Sequence, residues 1–70
     1  MNENTSHQNH FDTIHLSAIH YNEQKQKIKE YWSEKDGILF GTIDYDPTTG
    51  HRTKETLFHP NGTIKSVYHF

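Results

Sequence analysis

The sequence predicts an all-β chain: a single antiparallel meander of about five strands built from β-hairpin repeats, strongly twisted or partly closed. Three observations carry this expectation. Apolar and polar residues alternate in run after run, the period of a strand. Turn-forming residues, among them Gly37, Pro47, Gly50 and the Asn61-Gly62 pair, fall between the runs. Finally, the chain repeats itself: NHFDTIHLSAIHY (9–21), SEKDGILFGTIDY (33–45) and FHPNGTIKSVYHF (58–70) align without gaps, with starts 24 and 25 residues apart.

The first expected strand, 13–21, carries the alternation of TIHLSAIHY, and YNEQKQ connects it to a second at 27–33, KIKEYWS. The stretch 23–35 also suits a helix, because Lys, Glu and Gln are good helix formers and Ile28 and Trp32 stand four apart. The repeat favours a strand. KIKEYWS matches RTKETLF (52–58), with Lys29-Glu30 against Lys54-Glu55, Ile28 against Thr53 and Trp32 against Leu57, and the later copy carries β-branched residues. SEKDG leads to a third strand at 38–45, YDPTTG to a fourth at 51–58, and HPNG to the last at 63–70. Connections this short require antiparallel neighbours. Pro60 falls at a strand edge, where a missing N–H is harmless. Gly41, inside a strand, signals a bulge or a large neighbour such as Trp32 packing over it. Residues 1–10 hold no apolar residue after Met1 and read as a disordered tail ahead of a repeat domain at 11–70.

Composition narrows the function. The chain has 70 residues, so it is one small domain at most. Only 30% of residues are hydrophobic while 13% are aromatic, which concentrates the apolar surface in a few large rings. There is no cysteine to form a disulfide or a thiolate zinc site. The net charge is −2, without the basic patch of a nucleic-acid binder. Stacking of RNA bases on Phe40, Tyr31 and Phe58 would need surrounding cations, yet Lys25, Lys27, Lys29, Lys54 and Lys65 are balanced by Glu23, Glu30, Glu34, Asp44 and Glu55. No apolar run approaches a membrane span, and MNENTSHQNH does not resemble a signal peptide.

Strict alternation sorts the side chains onto two faces. One carries His15, Ser17, Ile19, Tyr21, Leu39, Gly41, Ile43, Tyr45, Ile64, Ser66, Tyr68 and Phe70, joined by Ile28, Trp32 and Leu57; it is the expected core. The other carries Ile14, Leu16, Ala18, His20, Ile38, Phe40, Thr42, Asp44, Thr63, Lys65, Val67 and His69, with Tyr31 and Phe58. This second face is too apolar for a solvent face. Either the sheet curls over it, or it is a contact patch for a second copy or a foreign protein. A one-residue slip in register would exchange the faces. The candidate protein-binding residues are therefore Ile14, Leu16, Tyr31, Ile38, Phe40 and Phe58, together with Tyr68 and Phe70 on a last strand whose outer edge is open to pairing.

No catalytic residue, metal site or cofactor is expected. His20, Asp44 and His69 share a repeat position, but equivalent strands of a meander lie ~9–10 Å apart and the two histidines ~19 Å apart. Zinc–nitrogen bonds are about 2 Å. A His69–Asp44 pair lacks a nucleophile, since Ser17, Ser33 and Ser66 sit in no nucleophile motif, and a thin sheet offers little depth for a pocket. His7 and His10 suit weak metal binding at most.

The stretch IDYDPTTGHRTKETLFHPNGTIKSVYHF resembles the tandem repeats of a phytoplasma secreted-protein family of unknown function, in which Y-D-P-x-T-G-K, K-E-T and P-D/N-G-T-I steps alternate. The likeness covers 43–70 well and 19–42 loosely; in the first copy Asp12-Thr13 replaces Asp-Gly and NEQKQ replaces DPTTG. DGILFGTIDYD is also similar to MORN-type repeats, whose pattern marks one β-hairpin each. The phytoplasma resemblance implies a small secreted effector lacking its signal peptide; without it the composition fits a cytoplasmic protein. The expected function is non-enzymatic protein binding to a host protein, with no nucleic acid and no membrane. The alternative is a self-associating, homodimeric structural or inhibitor module of phage or bacterial type that sequesters a partner or small ligand.

Overall fold

In a computed structural model of the protein, which describes residues 14–70, five strands form one antiparallel sheet. They are β1 (Ile14–Tyr21), β2 (Lys27–Glu34), β3 (Leu39–Tyr45), β4 (Arg52–Phe58) and β5 (Ile64–His69). Their spatial order is their sequence order, so the fold is the meander the short connections require. β1 and β5 are the two edges, and the sheet is not closed into a barrel. Residues 27–34 are a strand rather than a helix. The predicted tail at 1–10 and the start of the repeat domain at 11–13 lie outside the described residues.

The sequence repeat is a repeat of backbone geometry. Gly37 N donates to Glu34 O and Glu34 N to Ile38 O, both at 2.8 Å; 25 residues on, Gly62 N donates to His59 O at 2.9 Å and His59 N to Thr63 O at 2.8 Å. Asp36 and Asn61 close the two turns alike, each Oδ1 accepting from the backbone N–H two residues ahead, at 3.1 and 3.0 Å. Gly37 and Gly62 have φ of 91° and 93°, while Asp36 and Asn61 are not left-handed. Asn61-Gly62 therefore does not form a two-residue type I′ turn, which needs positive φ at both residues; it is a turn closed by a glycine bulge.

The other two connections correspond at Lys25 and Gly50, with φ of 66° and 79°. Around Lys25 a three-residue turn closes, Lys25 N to Asn22 O at 2.9 Å. Around Gly50 the turn is one residue longer, Gly50 N to Asp46 O at 2.8 Å. The extra residue in DPTTG accounts for the change in repeat spacing from 24 to 25.

Every strand carries a bulge. The pairing skips Ser17 in β1, Ile28 in β2, Phe40 in β3, Thr53 in β4 and Lys65 in β5. Ile28 and Thr53 are repeat equivalents, as are Phe40 and Lys65. Two bulged residues use their hydroxyls to hold the distortion: Ser17 Oγ donates to Tyr31 O at 3.0 Å and Thr53 Oγ1 to Asp44 O at 3.2 Å. A bulge places two residues opposite one, so the side chains beyond it change faces. Strict alternation fails for that reason, and the faces assigned from the sequence need correction.

Cross-strand partners define the two faces. One carries the rows Ile19–Glu30–Ile43–Glu55–Tyr68 and Leu16–Trp32–Gly41–Leu57–Ser66; we call it the Trp32 face. The opposite, Tyr31 face carries Ala18–Tyr31–Thr42–Thr56–Val67 and His20–Lys29–Asp44–Lys54–His69. His15, Leu39 and Ile64, predicted in the core beside Ile19, instead pair on the Tyr31 face, because the bulges at Ser17, Phe40 and Lys65 intervene.

The expected hydrophobic core does not form. Among the described residues no hydrophobic side chain is buried; the buried side chains are Glu30, Ser33, Thr42 and Thr56. All four lie on β2, β3 and β4, the strands with a neighbour on either side. A single layer shields only what its own adjacent side chains overhang, so the short polar groups of the central strands are covered while the large apolar ones are only half-buried.

Candidate binding face

The Trp32 face is built around a contact that only glycine permits. Gly41 lies between Trp32 on β2 and Leu57 on β4. A Cβ at position 41 would come within 2.7 Å of Thr56 O and 2.8 Å of Leu57 Cδ2. Beside this contact lies a shallow depression of about 180 Å³ lined by Ile14, Trp32, Phe40, Ile43, Glu55 and Leu57, with Gly41 and Thr42. Pockets for drug-sized ligands run to roughly 300–1,000 Å³, so this one suits a single side chain. At the end of the sheet Phe40 also borders a second depression with Phe58 and Pro60.

Beside the depression lies a charged cluster that sequence reasoning did not single out. Glu30 is only 7% exposed, which is costly for a carboxylate unless both oxygens find donors. Lys27 Nζ meets Oε2 at 2.7 Å and Trp32 Nε1 meets Oε1 at 3.1 Å. The Lys27 ammonium also stands 4.1 Å from the centre of the Tyr45 ring, within cation–π range. Burial pushes the Glu30 carboxyl up, but hydrogen bonds from Lys27, Trp32 and Tyr45 together outweigh it and hold the group below its ordinary value. Lys27 is held above the usual lysine range, chiefly by its hydrogen bond to Glu30. The face is thus apolar with its central carboxylate already neutralised. The bulge at Ile28, which brings Lys27 round to Glu30, was the part of this cluster the sequence concealed.

The candidate binding residues separate. Ile14, Leu16 and Phe40, expected opposite Trp32, lie with it on the Trp32 face. Tyr68 shares that face through its pairing with Glu55, and Tyr68 and Phe70 stack edge to face at 4.9 Å. Tyr31 lies on the other face, its hydroxyl 3.4 Å from His20 Nδ1 and the two rings 4.7 Å apart. Phe58, next to Leu57 in β4, points away from the Trp32 face, and Ile38 closes a turn.

The Tyr31 face carries the row in which His20, Asp44 and His69 were aligned, with Lys29 and Lys54 interposed. Asp44 lies 3.6 Å from Lys29 and 3.9 Å from Lys54. The histidines are four strand spacings apart, ~19 Å. Among the described residues no group of three or more His, Asp or Glu is placed to hold a metal ion.

The family model described as protein of unknown function (DUF2963) matches residues 34–70, just over half of the 70-residue chain. The chain belongs to this family. The matched span holds the Gly37 turn and strands β3, β4 and β5, and so includes one full copy of the repeat and the Gly41 contact. No curated protein and no solved structure matches the chain.

Proposed function

We propose that this DUF2963 chain is a non-enzymatic protein-binding module that docks its partner on the Trp32 face. The observation that carries the reading is an open sheet in which no hydrophobic side chain among the described residues is buried. Large apolar residues, Leu16, Ile19, Trp32, Phe40, Ile43 and Leu57, share this face, and the last four of them line a depression the size of one side chain. Apolar patches with few uncompensated charges at their centre suit protein interfaces. The Glu30–Lys27 pair satisfies its own charge, so covering it leaves no lone ion. Glu55 on the lining favours a partner with a cation beside its apolar anchor.

The likeness of DGILFGTIDYD to MORN-type hairpin repeats supports a binding role, and that of residues 43–70 to the phytoplasma repeats extends it. On the latter reading the chain is a small secreted effector acting on a host protein.

Light scattering at two concentrations comes first: a monomer leaves the face for a foreign protein, whereas a tight dimer would assign it to a second copy. Capture from candidate host extract should then yield a protein that Phe40→Asp loses and Ile64→Asp, an exposed change on the opposite face, retains. Equal capture by both variants would overturn the assignment to the Trp32 face.

A further inference from the structure

Strand pairing in this sheet repeats register for register. At the β1–β2 and β3–β4 junctions, Ile19↔Glu30 corresponds to Ile43↔Glu55, His20↔Lys29 to Asp44↔Lys54, and Tyr21↔Lys27 to Tyr45↔Arg52. At the β2–β3 and β4–β5 junctions, Trp32↔Gly41 corresponds to Leu57↔Ser66 and Tyr31↔Thr42 to Thr56↔Val67. β1, β3 and β5 are thus one kind of strand, and β2 and β4 another. The outer edge of β5 is the equivalent of the β3 edge that receives β4, and among the described residues no strand pairs with it.

We propose that this edge is a second docking site, independent of the Trp32 face, and that it takes an extended segment with the β2/β4 pattern: a Lys-Glu step with an apolar residue two positions after the Glu. Burial shows what is missing. Thr42 in β3 is 4% exposed, whereas its counterpart Val67 in β5 is 45% exposed, and Tyr68 and Phe70 are more exposed still. The backbone is ready as well. Phe70 N donates inward to Thr53 O at 3.2 Å, so antiparallel alternation turns the N–H groups of His69 and Val67 outward.

The β3–β4 register fixes the alignment of the incoming strand: its apolar residue opposite Ser66, its Glu opposite Tyr68 and its Lys opposite His69. A second copy of this chain does not supply such a strand, because β2 and β4 are interior to the sheet. The other edge, β1, presents smaller or polar groups at Ser17, Ala18 and His20 and carries the bulge at Ser17, which is pinned to Tyr31. A bulge in mid-strand spoils an edge for pairing, whereas the β5 bulge at Lys65 lies ahead of the Ser66–His69 stretch that would dock.

The test uses the intact chain and a peptide of its own residues 51–58, HRTKETLF, with amide hydrogen exchange read residue by residue. With peptide at ten times its dissociation constant, exchange at Val67 and His69 should slow about tenfold. β1 should be unaffected. Two peptides methylated on alternate backbone nitrogens should differ: the one whose methyls face β5 should lose the effect and the other keep it. Slowing of β1 instead of β5, equal slowing by a scrambled peptide or by both methylated peptides, or protection of β5 that follows chain concentration without peptide would each overturn the proposal.

Discussion

Gly41 is where the account is most exposed to a single substitution. In Gly41→Ala the new methyl would lie 2.7 Å from the Thr56 carbonyl oxygen, which is backbone, and 2.8 Å from Leu57 Cδ2. Leu57 Cδ2 is the far end of a flexible side chain and can turn aside, but Thr56 O is backbone within β4 and cannot. Overpacking of this kind costs about 1–3 kcal/mol. The φ of Gly41 is not in the left-handed region, so alanine brings no backbone strain and recovers about 0.4–1 kcal/mol by restricting the unfolded chain. The net expectation is a loss of about 1–2 kcal/mol. In a domain this small each kcal/mol moves the melting temperature by roughly 4–8 °C, so a fall of about 5–15 °C should appear in thermal circular dichroism. Ser66→Ala is the internal control: it changes the repeat equivalent of Gly41 on the exposed edge and should shift the melt by less than about 0.5 kcal/mol. A melting temperature for Gly41→Ala equal to or above that of the parent would refute the claim that Thr56 O and Leu57 leave no room for a side chain at residue 41.

Three further outcomes follow from particular residues. Lys25 holds a φ of 66° where its repeat counterpart is glycine, and the left-handed conformation costs a non-glycine residue about 1–2 kcal/mol; Lys25→Gly should therefore raise the unfolding free energy by about 1 kcal/mol, seen as a higher urea midpoint. Glu30 titrates below its ordinary value of 4.5, so the stability it contributes is present above that pH and is lost as the pH falls through the lowered folded value. Glu30→Gln should accordingly be less stable than the parent at neutral pH, with the difference shrinking in urea titrations taken to about pH 3. On the partner side, Phe40→Asp should weaken capture at least about tenfold in a titration of the isolated complex, the usual loss for an interface anchor.

Much of this architecture was legible in the sequence, for identifiable reasons. The alternation in KIKEYWS and RTKETLF, read against each other, gave the strand at 27–34 despite its helix-forming composition. Turn chemistry at Gly37, Pro47, Gly50 and Gly62 located the connections, and strand ends differ from expectation by one residue or so. Local signals of this kind act within a few residues and survive folding unchanged.

The faces were not legible, because facing depends on a running count that each bulge resets. Gly41, a glycine inside a strand, flagged the bulge at its neighbour Phe40. Ser17, Ile28, Thr53 and Lys65 did not, since nothing in a serine or a lysine marks it as the unpaired residue of a ladder. That is why Leu16 and Phe40 were placed opposite Trp32 and why the Lys27–Glu30–Trp32 cluster went unseen. The structure distributes the candidate residues over two faces and gathers only Ile14 and Phe40 at the depression, with Leu16 beside them on the same face.

The exposure of the Trp32 face to solvent can be measured in the isolated chain with a soluble paramagnetic agent, read at the methyl groups of Leu16, Ile19, Ile43 and Leu57. All four should relax strongly at dilute concentration and be shielded once a captured partner is added. Methyls already shielded in the dilute, monomeric chain would contradict this, because the face would then be covered from within and have nothing to offer a partner.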